Sequence, residues 1–117
     1  MPDPHPLSVP VYQILLSLAT GDAHGYALIR HVRERTGGEV DLTASTLYGA
    51  LQRMLDDGWI AETGEDGGSE GPRRRVYTIT AEGRRIATDE ARRLQRAVRQ
   101  AVEVRLLDVE GLRSRTP

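Results

Sequence analysis

The sequence contains no cysteine, no phenylalanine, no lysine and no asparagine. Without cysteine, disulfides, thiolate metal sites and cysteine nucleophiles are excluded. Aromatic residues make up only 4% of the 117 residues, so aliphatic side chains must fill the core of what we expect to be one domain. No apolar run approaches the roughly 20 residues of a membrane-spanning helix, and Asp3 stands where a secretory signal peptide has a basic residue. These features predict a cytoplasmic protein that does not enter a membrane.

The distribution of charge matters more than its total. The 16 basic residues, all arginine, face 17 acidic residues, and the net charge of −1 argues against a uniformly basic nucleic-acid binder. Residues 62–70 contain four acidic and no basic residues, whereas residues 71–79 contain three arginines and no acidic residue. Residues 80–105 also carry a net positive charge. Any contact with DNA must therefore come from local placement of charge.

Apolar residues recur at helical spacing in three short segments before Gly58. Each segment has a start signal and a glycine stop: Ser8 and Gly21, Asp22 and Gly37, Thr43 and Gly58. In the connection between the second and third helices, Val40 and Leu42 predict a minimal strand. The first part of the chain is thus expected to be three closely linked helices.

After Gly58 the pattern changes to that of a hairpin followed by a long helix. Residues 59–63 and 73–79 are typical of strands, on either side of a Gly-rich and acidic tip at residues 64–72. Thr80 is a good N-cap for a fourth helix, which we expect to continue to about Asp108. Residues 111–117 are expected to form a disordered tail.

This order of elements predicts an α+β, mainly α, winged helix-turn-helix fold with a long C-terminal helix. The third helix would enter the major groove of double-stranded DNA, and the arginine-bearing stem of the hairpin would lie along the backbone. The predicted DNA-binding residues are Ser45, Thr46, Tyr48, Gly49, Gln52, Arg53, Arg73, Arg74 and Arg75. A simpler interpretation remains open, in which the helix face is merely solvated and the arginines balance the acidic tip.

Three segments resemble the signatures of the PadR-like transcriptional regulators: HGYALIRHV, LTASTLYGALQRMLDDGWI and GPRRRVYTITAEGRR. The resemblance extends over about residues 7–107. It implies a dimeric winged-helix repressor or regulator of the short type, with a DNA-binding domain at residues 1–80 and a dimerisation helix at residues 81–110. By that match, Thr46, Leu47 and Tyr48 fall on the recognition-helix motif, and Arg74 and Arg75 on the wing motif.

Two residues of the third helix depart from the family pattern. Ser45 stands where the family often has glycine, and Gly49 where it often has proline. A mid-helix glycine costs about 1 kcal/mol relative to alanine. Both positions lie on the face expected to meet DNA, so the operator sequence does not follow from the family.

The fourth helix is expected to form a homodimer, because its apolar residues would extend beyond a compact winged-helix core. The predicted dimerisation residues are Ile86, Leu94, Val98, Val102 and Leu106. Each apolar side chain of this size that becomes fully buried contributes about 1.5–3 kcal/mol. A second copy of the helix is the expected cover.

No other chemistry stands out. His24 and His31 are seven residues apart and could lie near one helix face, but Asp22 is the only carboxylate close to them in sequence. His24 is therefore interpreted as a loop or cap residue and His31 as a surface residue, with no metal or cofactor expected. No hydrolase constellation is present, so an enzyme is not expected.

The family resemblance leaves room for a small-molecule effector, for which the sequence shows no signature. The alternative function is a winged-helix protein-interaction module without a DNA target, which the near-neutral charge favours.

Overall fold

The computed structural model describes residues 6–66 and 74–109 of the chain. Its elements are α1 (Val9–Thr20), β1 (Ala23–His24), α2 (Gly25–Arg35), α3 (Ala44–Asp56), β2 (Ile60–Asp66), β3 (Arg74–Ile79) and α4 (Ala81–Glu103). Three short helices, a hairpin and a long C-terminal helix therefore follow each other in the predicted order, and the winged helix-turn-helix fold is confirmed. The predicted tail at residues 111–117 lies outside the described residues.

Three of the four predicted helix starts are confirmed by side-chain caps. The hydroxyl groups of Ser8, Thr43 and Thr80 each accept a hydrogen bond from a backbone N–H three residues later, at 3.3, 3.1 and 3.0 Å. Such a cap satisfies one of the backbone donors that a helix start leaves unpaired.

The start of α2 differs from the prediction. His24, not Asp22, is the N-cap, and its Nδ1 accepts a hydrogen bond from the backbone N–H of Ala27 at 3.2 Å. The reason is that Ala23 and His24 are extended and paired with β3, so the helix cannot begin before Gly25. The interpretation of His24 as a cap residue is correct.

The sheet has three antiparallel strands in the order β1-β3-β2. Ala23 pairs with Tyr77, so β1 lies beside β3 on the side away from β2. A bulge interrupts the pairing of β2 with β3 between Glu62 and Gly64. The predicted minimal strand at Val40 and Leu42 is wrong. Neither residue is in a strand, and Leu42 is instead buried in the core.

The core lies between the inner faces of α1, α2 and α3. Its most deeply buried apolar side chains are Ile14, Leu15, Leu18, Leu28, Val32, Leu47, Leu51 and Met54. Ile60 and Tyr77 close it from the side of the hairpin, and Trp59 packs against it. The apolar stripes predicted for the helices therefore face inward, which leaves the opposite side of α3 for other contacts.

The fourth helix ends at Glu103, five residues before the predicted end near Asp108. Arg105 has a left-handed backbone with φ 64°, and the N–H of Leu106 turns back to the carbonyl of Ala101 at 2.8 Å. This is the hydrogen-bond pattern that closes a helix. Leu106 therefore lies beyond the helix. Ile86 is partly buried against the core of its own chain.

Candidate DNA-binding surface

The side of α3 that faces away from the core is polar and accessible. Leu47, Ala50, Leu51 and Met54 are buried. The six residues predicted to meet DNA from this helix are all exposed: Ser45, Thr46, Tyr48, Gly49, Gln52 and Arg53. The structure thus brings the predicted helix residues together on one surface.

The first turn of α3 is compatible with an anion. It contains no acidic residue, and the Thr43 hydroxyl donates a hydrogen bond to the Thr46 hydroxyl at 3.0 Å while it caps the helix. The start of a helix carries a partial positive charge from its aligned peptide dipoles. Ser45, exposed in this turn, is therefore placed where a phosphate oxygen would be favoured.

Gln52 is held by a partner that the sequence analysis missed. Its Nε2 donates a hydrogen bond to Oδ1 of Asp56 at 3.0 Å, one turn further along α3. A carboxamide has two N–H groups and an acceptor oxygen, so one N–H and the oxygen remain for another partner. The i,i+4 spacing of the two residues is the signal that would have identified this pair.

The wing, which we define as the β2–β3 hairpin, carries one described arginine side chain toward solvent. Arg75 is 69% exposed, and its Nη1 lies 3.6 Å from Oε1 of Glu62 on the neighbouring strand. Arg74 is the first residue of β3, and Arg73 lies outside the described residues. Glu62 cannot be recognised from the sequence as a partner of the wing arginines, because the pair depends on the register of the hairpin.

Tyr77 is the buried aromatic residue of β3. It is only 3% exposed, and the pKa of its hydroxyl is raised, chiefly by burial and then by the carboxylate of Glu62 and the side chain of Tyr48. The guanidinium of Arg75 acts in the opposite direction and lowers the pKa.

No group of three or more histidine, aspartate or glutamate side chains comes together as a candidate metal site within residues 6–66 and 74–109. Over the same ranges, none of the helices has both the length and the apolar character that crossing a membrane requires.

Comparison with known proteins agrees with this geometry. The model of the transcriptional regulator PadR-like family matches residues 14–89. The structure is similar to a PadR family transcription regulator from Clostridium difficile R20291, with 28% identity and a TM-score of 0.68 over 86% of this chain and 100% of that chain. A transcriptional regulator from Clostridium thermocellum is 26% identical, with a TM-score of 0.68 over 80% of this chain and 87% of that one.

A third similar structure contains DNA. Bacillus subtilis PadR, solved in complex with operator DNA, is 26% identical, with a TM-score of 0.63 over 72% of this chain. This chain covers 47% of the length of that protein. No curated protein matched the sequence.

The fold and the exposed face of α3 define a winged-helix protein of the DNA-binding transcription regulator class. More narrowly, the chain belongs to the PadR-like family of transcriptional regulators, as the match over residues 14–89 shows.

Proposed function

We propose that this protein is a sequence-specific repressor that binds operator DNA as a homodimer. The observation that carries the proposal is the continuous polar surface of α3, with six exposed residues opposite a buried stripe. Similarity to Bacillus subtilis PadR, whose structure contains operator DNA, supports an operator as the target. A dimer bound to an operator within a promoter would repress by occupying the site that the polymerase needs.

The second half of α4 supports a dimer. Only Gly83 and Glu90 of this 23-residue helix are buried, and both lie in its first half. Leu94, Val98 and Val102 share one face of the second half and remain partly exposed in the single chain. At 1.5 Å per residue the helix spans about 34 Å, which exceeds what the three-helix core covers. We propose that the same face of a second copy buries these residues.

Within the proposed complex, α3 reads bases and the wing holds the backbone. Gln52 retains an N–H and an oxygen, the pair of groups that recognises the edge of adenine. Tyr48 would meet a phosphate or a thymine methyl group. The exposed guanidinium of Arg75 is suited to phosphate, a contact that carries no sequence information. Ser45, Thr46 and Arg53 would add contacts along the same surface, as would Arg73 and Arg74 on the wing.

Selection of bound duplexes from a random pool tests this assignment. After an operator is found, Gln52→Ala should weaken binding to it by about 1–3 kcal/mol, with little change on random duplexes or in salt dependence. Arg75→Ala should weaken binding to all duplexes alike. It should also reduce the slope of log affinity against log salt by about 0.9 per lost phosphate contact, and by about twice that in a dimer.

Arg92→Ala is the matched control, because it removes an exposed arginine from α4 and should leave DNA binding unchanged. If Arg75→Ala altered base preference while Gln52→Ala weakened every duplex equally, the roles of wing and helix would be reversed. If the wild-type protein bound no duplex at low salt, the alternative function, a protein-interaction module, would replace the proposed one.

A further inference from the structure

Tyr48 is seated against the start of α2. A Cβ atom built on Gly25 would come 2.6 Å from the hydroxyl oxygen of Tyr48 and 3.0 Å from Cζ of its ring. Only glycine therefore leaves room for the ring in its present position. Gly25 itself is buried, whereas Tyr48 is 50% exposed, so one side of the ring contacts the protein and the other remains accessible.

The sheet fixes the start of α2. Gly25 directly follows β1, and the pairing of Ala23 with Tyr77 holds β1 against β3. The strand pairing therefore holds Gly25 in place against Tyr48.

We propose that Gly25 is a positioning residue that holds Tyr48 in its DNA-contacting orientation. This inference rests on the proposed function, and it adds a residue whose own role is to seat Tyr48. A side chain held in its bound orientation loses less conformational freedom on binding, which raises affinity without a new contact.

The first experiment introduces a methyl group at Gly25. Gly25→Ala should displace the Tyr48 ring and weaken operator binding by about tenfold. Folding should suffer little, because the other close contact of the new methyl group, Cδ2 of Leu47 at 3.2 Å, needs a shift of only a few tenths of an ångström. The backbone of Gly25 is not left-handed, and alanine is the better helix former. The melting temperature should therefore stay nearly constant while operator affinity falls. If Gly25 had only a structural role, Gly25→Ala would lower the melting temperature and the operator affinity together.

A double-mutant cycle shows whether the effect passes through Tyr48. In a Tyr48→Ala background, Gly25→Ala should have no further effect on operator affinity, because no ring remains to be displaced. In a Gln52→Ala background, the effect of Gly25→Ala should persist in full, which makes this pair the matched control. An equal loss in the Tyr48→Ala and wild-type backgrounds would overturn the proposal.

An NMR experiment tests the seating of the ring directly. With tyrosine rings labelled for NMR, Gly25→Ala should shift the signals of Tyr48 in the DNA-free protein and leave those of Tyr12 on α1 in place. Unmoved Tyr48 signals would overturn the positioning role.

The outcomes for the two proposals are distinct. A wild-type protein that binds no duplex would overturn the proposed function. A wild-type protein that binds its operator, with Gly25→Ala binding equally well, would overturn the positioning role alone.

Discussion

Arg75 has a competing partner in the free protein, the carboxylate of Glu62. The two side chains are 69% and 42% exposed, and the 3.6 Å separation is long for an ion pair. Exposed pairs of this kind contribute about 0–1 kcal/mol, so a phosphate would displace Glu62 at small cost. Glu62 also adds negative charge beside the surface that approaches DNA. Glu62 is therefore expected to reduce the affinity of the protein for DNA.

Glu62→Gln should consequently raise affinity for DNA by up to about fivefold, on operator and random duplexes alike. Titration of labelled duplexes at low salt measures the effect, and high salt should diminish it. Glu103→Gln removes the same charge from the far end of α4 and serves as the control. Unchanged or lower affinity for Glu62→Gln would show that the glutamate orients Arg75 for binding instead of competing for it.

Glu90 is the buried charged residue that ties the N-terminal segment to α4. Its carboxylate pairs with Arg93 at 2.6 Å and accepts a hydrogen bond from the backbone N–H of Leu7 at 3.4 Å. The hydrogen bond from Arg93 is the main cause that lowers the pKa of Glu90, against the opposing effect of burial. A carboxyl group with a lowered pKa in the folded state stabilises the fold while it is ionised.

This stabilisation is complete above the pKa of an unfolded glutamate, about 4.3. It is lost as pH falls through the lower pKa of the folded state. Glu90→Gln should therefore lower the free energy of unfolding at pH 7 and flatten its decrease below about pH 4.3. Urea denaturation at a series of pH values measures both effects. The exposed Glu103→Gln is the control, and an acid dependence identical to that of the wild type would contradict the prediction.

At the scale of elements, α4 packs tightly against the backbone of Trp59, directly before β2. A Cβ atom on Gly83 would overlap the backbone carbonyl oxygen of Trp59 and lie 2.9 Å from Cγ1 of Ile79. A backbone carbonyl cannot move aside as a flexible side chain can. Gly83→Ala should therefore lower the free energy of unfolding by about 1–3 kcal/mol, the usual cost of overpacking.

Gly49→Ala is the matched control for this prediction. Gly49 lies within α3, and a Cβ atom there would meet nothing within 4 Å. Alanine should raise the free energy of unfolding by about 1 kcal/mol, since it is the better helix former. Denaturant unfolding of the two variants should thus show opposite signs. A stabilising effect of Gly83→Ala would mean that α4 can shift away from Trp59 at little cost.

The elements that the sequence predicted well are those that local interactions determine. The start and end of α3 follow from the Thr43 cap and from Gly58, whose left-handed backbone at φ 79° ends the helix. By contrast, β1 contains two residues and exists because β3 lies beside it, a contact that no local pattern encodes. The end of α4 was misplaced because Arg105 adopts the left-handed turn that usually requires glycine.

The candidate site likewise combines features that local sequence patterns predict with features that depend on tertiary packing. The exposed face of α3 was predictable, since it is the complement of an apolar stripe with helical period. The pairing of Arg75 with Glu62 and the position of Tyr77 were not predictable, because both depend on strand register and on the packing of the wing against α3. Nothing in the sequence around Gly25 indicates that the absence of a side chain there leaves room for the Tyr48 ring.

At the scale of the whole molecule, dimerisation through α4 is the main prediction. Val98→Asp would place a charge at the centre of the proposed interface and should give a monomer at micromolar concentration by analytical ultracentrifugation. Operator affinity should fall with it, because each half-site would then be bound separately. Arg96→Asp, on the opposite side of α4 from Val98, should remain dimeric. A wild-type monomer, or a dimeric Val98→Asp variant, would contradict the prediction.

A second prediction concerns response to an effector. A two-fold dimer reads half-sites about 34 Å apart, so a small change in the relative orientation of the two copies of α3 would disrupt binding. Because the chain has no cysteine, Asp57→Cys, at the exposed C-cap of α3 and outside the predicted DNA-binding residues, would give one labelling site per copy. A ligand that releases DNA should change the distance between spin labels on the two copies. Release at an unchanged distance would indicate that the ligand blocks the surface directly.

The corner formed by Thr80 has a consequence for the arrangement of the operator. Its hydroxyl donates to the carbonyl of Gly58 at 2.7 Å and caps α4, while its backbone N–H donates to the carbonyl of Trp59 at 3.0 Å. Two hydrogen bonds therefore join the turn after α3 to the start of α4 at a defined angle. In the proposed dimer this angle sets how far apart, and in what helical phase, the two reading surfaces lie. Thr80→Val should accordingly change the preferred number of base pairs between half-sites and leave the half-site sequence itself unaltered.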